Sequence, residues 1–129
     1  MVVLDTNIII DHLRQNQNKE TTLASLAKKH GQETLALSII SVQELYSGKS
    51  TEIKEKEKDL LTTIGPLKIL PFDFEIAQLG GKITRNKKGY LIGLADAAIA
   101  ATTIVNKAQL LTLNKKHFQG IKGLKLLKI

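Results

Sequence analysis

No cysteine occurs anywhere in the 129 residues, which removes disulfide frameworks, thiolate metal sites and cysteine nucleophiles from consideration. Such a chain suits the reducing cytoplasm, its expected location. Long apolar runs are missing too, since no stretch approaches the roughly 20 residues that cross a bilayer. The N-terminus has neither the basic region nor the cleavage site of a secretory signal. No membrane association is therefore expected. Repeats, linkers and breaks in composition are absent, so 1–129 reads as a single domain, long enough for a hydrophobic core without covalent staples.

Acid is scarce in the second part of the chain. Residues 1–75 hold nine Lys/Arg and eleven Asp/Glu, net −2, whereas residues 76–129 hold ten and one, net +9, the single acid being Asp96. This asymmetry predicts a basic face able to follow a polyanion. Arginine is scarce as well: 17 of the 19 basic residues are lysine, which favours point-charge attraction to phosphates over bidentate base reading. Arg14, Arg85, Lys87, Lys88, Lys115 and Lys116 are the candidate phosphate contacts. Each also has an ordinary reading as a solvated surface charge.

What is present alternates. Val2 to Leu4 is a β-branched run suited to a strand buried on both faces, and a helix is expected at 8–14. QNQNKE reads as a polar loop, 21–30 as a helix closed by Gly31, and 35–38 as a second strand. Ser41-Val-Gln-Glu44 has the form of a capping box, predicting a helix that starts at Ser41 and runs toward Ser47. In TEIKEKEKDL a Glu52 to Lys56 pair four apart marks a solvated helix face. Gly65-Pro66 and Pro71 bracket a third strand at 67–70. A helix over 74–83 contains Gly80-Gly81, which suggests close packing or a kink. A basic loop at 85–89 precedes an alanine-rich, central helix at 94–105, and strands at 110–113 and 124–127 flank a turn at 114–118. Strands separated by helices imply a mostly parallel sheet with helices on both faces.

Ligands of such a sheet sit beyond the carboxyl ends of its strands. Asp5 follows the first strand, Glu44 lies on the helix after the second, Asp96 opens the helix leading into the fourth, and Asn114 follows the fourth. Four oxygen-bearing side chains from distant parts of the chain are thus expected to converge. Carboxylates brought close repel, and a cation relieves the repulsion. Without cysteine or paired histidine the donors favour Mg²⁺ or Mn²⁺, with Asp5 and Asp96 as ligands, and a water acidified by the metal can attack a phosphodiester. Thr6 and Thr112 stand beside these residues and would orient a carboxylate or a bound water. His117 is expected at the edge, near phosphate, and Asp11 on the surface. Each position also has a structural reading: Asp5 as an N-cap, Glu44 in its capping box, Asp96 facing a helix dipole, Asn114 capping the turn after it.

The stretches LDTNIIID, ISVQEL, GLADAAIAATTI and LLTLNKKHF resemble, in order and spacing, the PIN-domain ribonucleases, and the compact length resembles the VapC-type toxins of toxin–antitoxin pairs. The resemblance spans nearly the whole chain. It implies an α/β/α sandwich around a parallel sheet and a Mg²⁺- or Mn²⁺-dependent endoribonuclease. Asp5, Glu44 and Asp96 match the three main acids of that family, and Asn114 matches a fourth site that is often Asp. The neutral amide leaves less charge for a second ion. The resemblance further implies an RNA substrate, a homodimer and a cognate antitoxin that blocks the active site. The alternative is a catalytically silent RNA-binding module that uses only the basic half. A phospho-acceptor domain is disfavoured, because neither 35–38 nor 67–70 is followed by a phosphorylatable Asp.

Overall fold

The run VVL forms β1 (Val2–Leu4), and all three side chains are buried, as a strand covered on both faces requires. In the computed structural model, which describes residues 1–15, 19–31, 33–86 and 91–128, four more strands join it. These are β2 (Leu35–Ser38), β3 (Lys68–Leu70), β4 (Gln109–Leu111) and β5 (Lys125–Leu126). The sheet runs β3-β2-β1-β4-β5 and every pair is parallel. Val2 lies across from Leu35 and Gln109, and Leu4 across from Leu37 and Leu111.

The period of two along each strand divides the core. Val2, Leu4, Leu37 and Leu111 share one cluster with Ile8 and Ile9 of α1 (Thr6–Arg14), Leu23 and Leu26 of α2 (Thr22–Lys29), Leu45 of α3 (Ile39–Ser47) and Leu60 of α4 (Lys54–Ile64). Val3, Ala36 and Leu110 point the other way. They pack with Ile76 and Ile83 of α5 (Phe74–Asn86), Ile99 and Ala100 of α6 (Leu94–Val105) and Phe118 of the single turn α7 (Lys115–Phe118). Helices cover both faces of the sheet, which is the expected α/β/α sandwich. The alanines of α6 are small enough to be covered on several sides: Ala97, Ala98, Ala100 and Ala101 are all buried. At Gly80 a methyl group would meet the backbone of Ala97 and Ala98 at 3.7–3.8 Å, so α5 packs close on α6 there. Gly81 meets nothing within 4 Å.

Several boundaries differ from the sequence expectation. α1 begins at Thr6 rather than Ile8, because the Asp5 side chain accepts the Thr6 amide and caps the helix at once. α3 begins at Ile39, and Ser38 Oγ accepts the Ile40 amide. Ser41 is therefore inside the helix and no capping box to Glu44 exists; β2 passes directly into α3, and Ser38 alone has the extended backbone a cap needs. Glu52 belongs to a 3₁₀ turn (Lys49–Glu52) that precedes α4, so it does not share a helix face with Lys56, and no ion pair joins them among the described residues. β4 ends at Leu111 and the chain leaves the sheet with Leu113 half exposed. α5 extends to Asn86, into the expected basic loop; Lys87 and Lys88 lie outside the described residues. No described helix is long and apolar enough to cross a membrane.

Candidate active site

From β1 the chain winds outward through β2 and β3, then returns to the opposite side of β1 as β4. That reversal leaves a crevice between the two outgoing chains, beyond the carboxyl ends of β1 and β4. Asp5 is the first residue after β1, and Thr112 the first after β4. Glu44 arrives from α3 and Asp96 from the first turn of α6. Asp5, Thr6, Glu44, Asp96 and Asn114 line a single cleft of about 360 Å³, together with Asn7, Ile10, Ser47 and His117.

Asp5 is 5% exposed, and both its oxygens are held. Oδ1 accepts from the Thr6 amide at 2.8 Å and Oδ2 from Thr112 Oγ at 2.7 Å. It caps α1 and faces the cleft at the same time, so the two readings of this residue are not alternatives. Burial pushes its pKa from the ordinary 3.8 up to about 6; the Thr112 hydrogen bond opposes the rise, nearby Asp96 adds to it, the Thr6 amide opposes, and Glu44 adds again. The carboxylates are thus close enough to repel.

Their supports are short hydroxyl contacts. Thr6 Oγ donates to Glu44 Oε1 at 2.6 Å and lies 2.8 Å from Ser41 Oγ. Since a threonine hydroxyl has one proton, the Ser41 hydroxyl donates to Thr6. Asn7 Oδ1 accepts from the Leu113 amide at 3.3 Å, and Thr112 Oγ accepts from the Asn114 amide at 3.0 Å. Those bonds tie the start of α1 to the chain leaving β4. The Asn114 side chain does not cap α7; its amide nitrogen lies 3.0 Å from His117 Nδ1, and Asp96 Oδ2 lies 3.4 Å from the same nitrogen.

The donor set of the cleft is oxygen-rich, and no lysine or arginine lines it among the described residues. Carboxylates that repel, with no described lysine or arginine among them, form a donor set that a hard divalent ion would fit. Among the described residues no group of three His, Cys, Asp or Glu side chains is placed to hold a metal ion together; Glu44 is hydrogen-bonded to Thr6 and Asp96 stands against His117. An ion in this cleft would meet one or two carboxylates and keep waters in its remaining positions.

The expected phosphate contacts fall outside this cleft. Arg14 lines a neighbouring groove with Lys56, Arg85 lines an apolar groove with Phe72 and Leu94, and Lys115 and Lys116 line a groove against α2. Asp11 is half-buried rather than on the surface, and accepts from Gln15 Nε2 at 3.0 Å. Sequence reasoning passed over Asn7, Ser41 and Ser47. Ser41 had a signal, a polar residue four before Leu45 and hence on the same buried helix face, but the capping-box pattern absorbed it.

Comparison with known proteins gives the family of the chain. A family model described as PIN domain matches residues 2–124. Ribonuclease VapC10 of Mycobacterium tuberculosis is 33% identical over 127 residues, spanning 97% of this chain and 91% of the relative. Toxin FitB of Neisseria gonorrhoeae is 37% identical over 79% of each chain. Among solved structures, a chain of the Rickettsia felis VapBC2 complex, bound to a DNA fragment from its promoter, superposes with a TM-score of 0.80 at 29% identity, covering 98% of each chain.

Proposed function

Because this chain belongs to the PIN-domain family, we propose that it is the ribonuclease toxin of a toxin–antitoxin pair, an endonuclease that hydrolyses RNA phosphodiesters with Mg²⁺ or Mn²⁺. The observation that carries the reading is the meeting of Asp5, Glu44 and Asp96 in one cleft at the sheet edge, from positions up to 91 residues apart in the sequence. Its 33% identity to a ribonuclease over almost the whole chain supports it further.

Asp5 and Asp96 would hold the ion, and the ion when bound supplies charge neutralisation at the phosphate and a more acidic water. The chain's own part is positioning. Thr112 and the Thr6 amide fix both oxygens of Asp5, so a cation meets a carboxylate that is already oriented. Thr6 holds one oxygen of Glu44 and leaves the other to accept a proton or orient a water. Asn114 is neutral where a fourth carboxylate would repel the phosphate, which favours one ion over two.

The antitoxin part of the reading draws on a relative solved as a VapBC complex, and the homodimer is carried only by the family resemblance. Support in this chain comes from apolar side chains left in solvent along the groove beside α5 and α6: Phe72 is 42% and Leu94 83% exposed. Such a patch is typical of a surface that a protein covers.

The test is calorimetric titration of Mn²⁺ into wild type and Asp96→Asn, with RNA cleavage followed in parallel. Binding at one site that Asp96→Asn weakens at least tenfold, together with loss of cleavage in a variant of unchanged circular dichroism, is the expected result. If Asp5→Asn and Asp96→Asn both cut RNA at the wild-type rate, the carboxylate assignment is wrong. RNA bound but never cut, indifferent to EDTA, would instead identify a silent binding module.

A further inference from the structure

The largest neighbour of the carboxylate cleft with an excess of positive charge is a groove of about 640 Å³ between α2 and the chain leaving β4. Its wall on α2 carries Ser25 and Lys29, four apart and hence on one helix face. Its opposite wall carries Lys115 and Lys116, and its floor is apolar, made by the buried Leu111 and Leu127. The groove adjoins the carboxylate cleft: Asn114 lines both, and Thr112, which lines the groove, donates its hydroxyl to Asp5.

Charge separates this groove from the other two beside the cleft. Lys29, Lys115 and Lys116 are exposed and form no ion pair among the described residues. The one acid at the rim, Glu20, is already bonded to Lys28 at 3.1 Å. By contrast, the groove of Arg14 and Lys56 carries two acids, Glu44 and Asp59, on its lining, and the apolar groove carries Arg85 as its one cation among the described residues. A polyanion would gain from three unbalanced lysines leading away from the carboxylate cleft.

We propose that this groove holds the RNA strand on one side of the scissile phosphate, with Lys29, Lys115 and Lys116 as its backbone contacts. The inference rests on the ribonuclease reading and adds the path of the substrate to it. No arginine fork and no aromatic ring lines the groove among the described residues, so recognition there is of phosphate and sugar and is tolerant of sequence. The Ser25 hydroxyl stands in the same groove, where a ribose 2′-hydroxyl offers a partner that DNA lacks. A protein ligand fits less well, since of the lining residues only Leu113 presents an exposed large apolar side chain.

The experiment is fluorescence-anisotropy titration of a labelled single-stranded RNA of mixed sequence, in EDTA, over a range of salt. Wild type is compared with Lys29→Ala/Lys115→Ala/Lys116→Ala, with Lys29→Glu alone, and with Lys49→Ala/Lys54→Ala/Lys58→Ala, three exposed lysines elsewhere that lose the same charge. Each single-strand phosphate contact contributes about −0.7 to the slope of log K against log salt, so the groove triple flattens that slope by about 2 and weakens low-salt binding at least tenfold. Lys29→Glu, on a helix that contributes nothing to the carboxylate cleft, weakens it severalfold. Affinity within twofold of wild type in the groove variants, or an equal loss in the distant triple, overturns the proposal. Wild-type cleavage with Mn²⁺ in the same preparation keeps the two readings apart: cleavage without an effect of the groove lysines removes only the groove, while absence of both cleavage and binding removes the ribonuclease reading beneath it.

Discussion

Replacing Asp5 by Asn should make the metal-free protein more stable at neutral pH, although it destroys the candidate site. Asp5 is buried beside two other acids, and its pKa stands at about 6 against an ordinary 3.8. At about 1.4 kcal/mol per pH unit, ionised Asp5 costs the fold about 3 kcal/mol. Asn keeps the cap, because its oxygen still accepts the Thr6 amide and Asn caps as well as Asp. It loses at Thr112: an NH₂ now faces a hydroxyl that already accepts from the Asn114 amide. The Thr112 proton is left without its acceptor, at a cost of about 1–2 kcal/mol. A net gain of about 1–2 kcal/mol remains at pH 7.

The sign then reverses with acid. A carboxyl whose folded pKa is raised is penalised in full above about 6, and the penalty vanishes as pH falls to 3.8, where both states are protonated. Wild type therefore gains on the variant between pH 6 and 3.8, and below that window Asp5→Asn is the less stable protein by the Thr112 cost. Thermal unfolding followed by circular dichroism in EDTA, at pH 7 and at pH 4, reads this directly. A difference of 1–2 kcal/mol corresponds to a shift of about 4–8 °C for a chain of this size. Excess Mn²⁺ at pH 7 raises the wild type alone, by RT ln(1 + [L]/Kd). A variant less stable than wild type at pH 7 in EDTA, or a difference that does not change with pH, refutes the account of Asp5 as a carboxylate held against its electrostatic preference.

Two further substitutions test the surroundings of that carboxylate. Thr112→Val keeps the shape but removes the donor to Asp5 and the acceptor of the Asn114 amide; urea denaturation at pH 7 should show a loss of about 2–3 kcal/mol, and Mn²⁺ affinity should fall 10–100-fold. Asn114→Asp adds a fourth acid to the cleft, so without metal it should lower the midpoint of unfolding at pH 7, while calorimetry should show tighter Mn²⁺ binding or a second site. Unchanged Mn²⁺ binding would place Asn114 outside the reach of the ion.

The layers and the parallel sheet were legible because their signals are local and redundant. VVL has no reading other than a buried strand, and the alanines of α6 none other than a covered helix. Residues Asp5, Glu44, Asp96 and Asn114 were legible for a related reason: each follows a strand or opens or rides a helix whose direction the sheet dictates, so their convergence follows from topology. What misled was a local pattern with two physical realisations. Ser41 and Glu44 have the spacing of a capping box, yet both serve Thr6, a residue more than thirty positions away. Capping chemistry and site chemistry use the same hydrogen bonds from the same short polar side chains, and only the third partner distinguishes them. Asp5 makes the point most sharply, since one of its oxygens caps α1 and the other is held by Thr112 while the residue lines the cleft. The cap fixes the rotamer of the carboxylate, and under the proposed function that fixed rotamer would present a buried charge to an ion without any reorganisation.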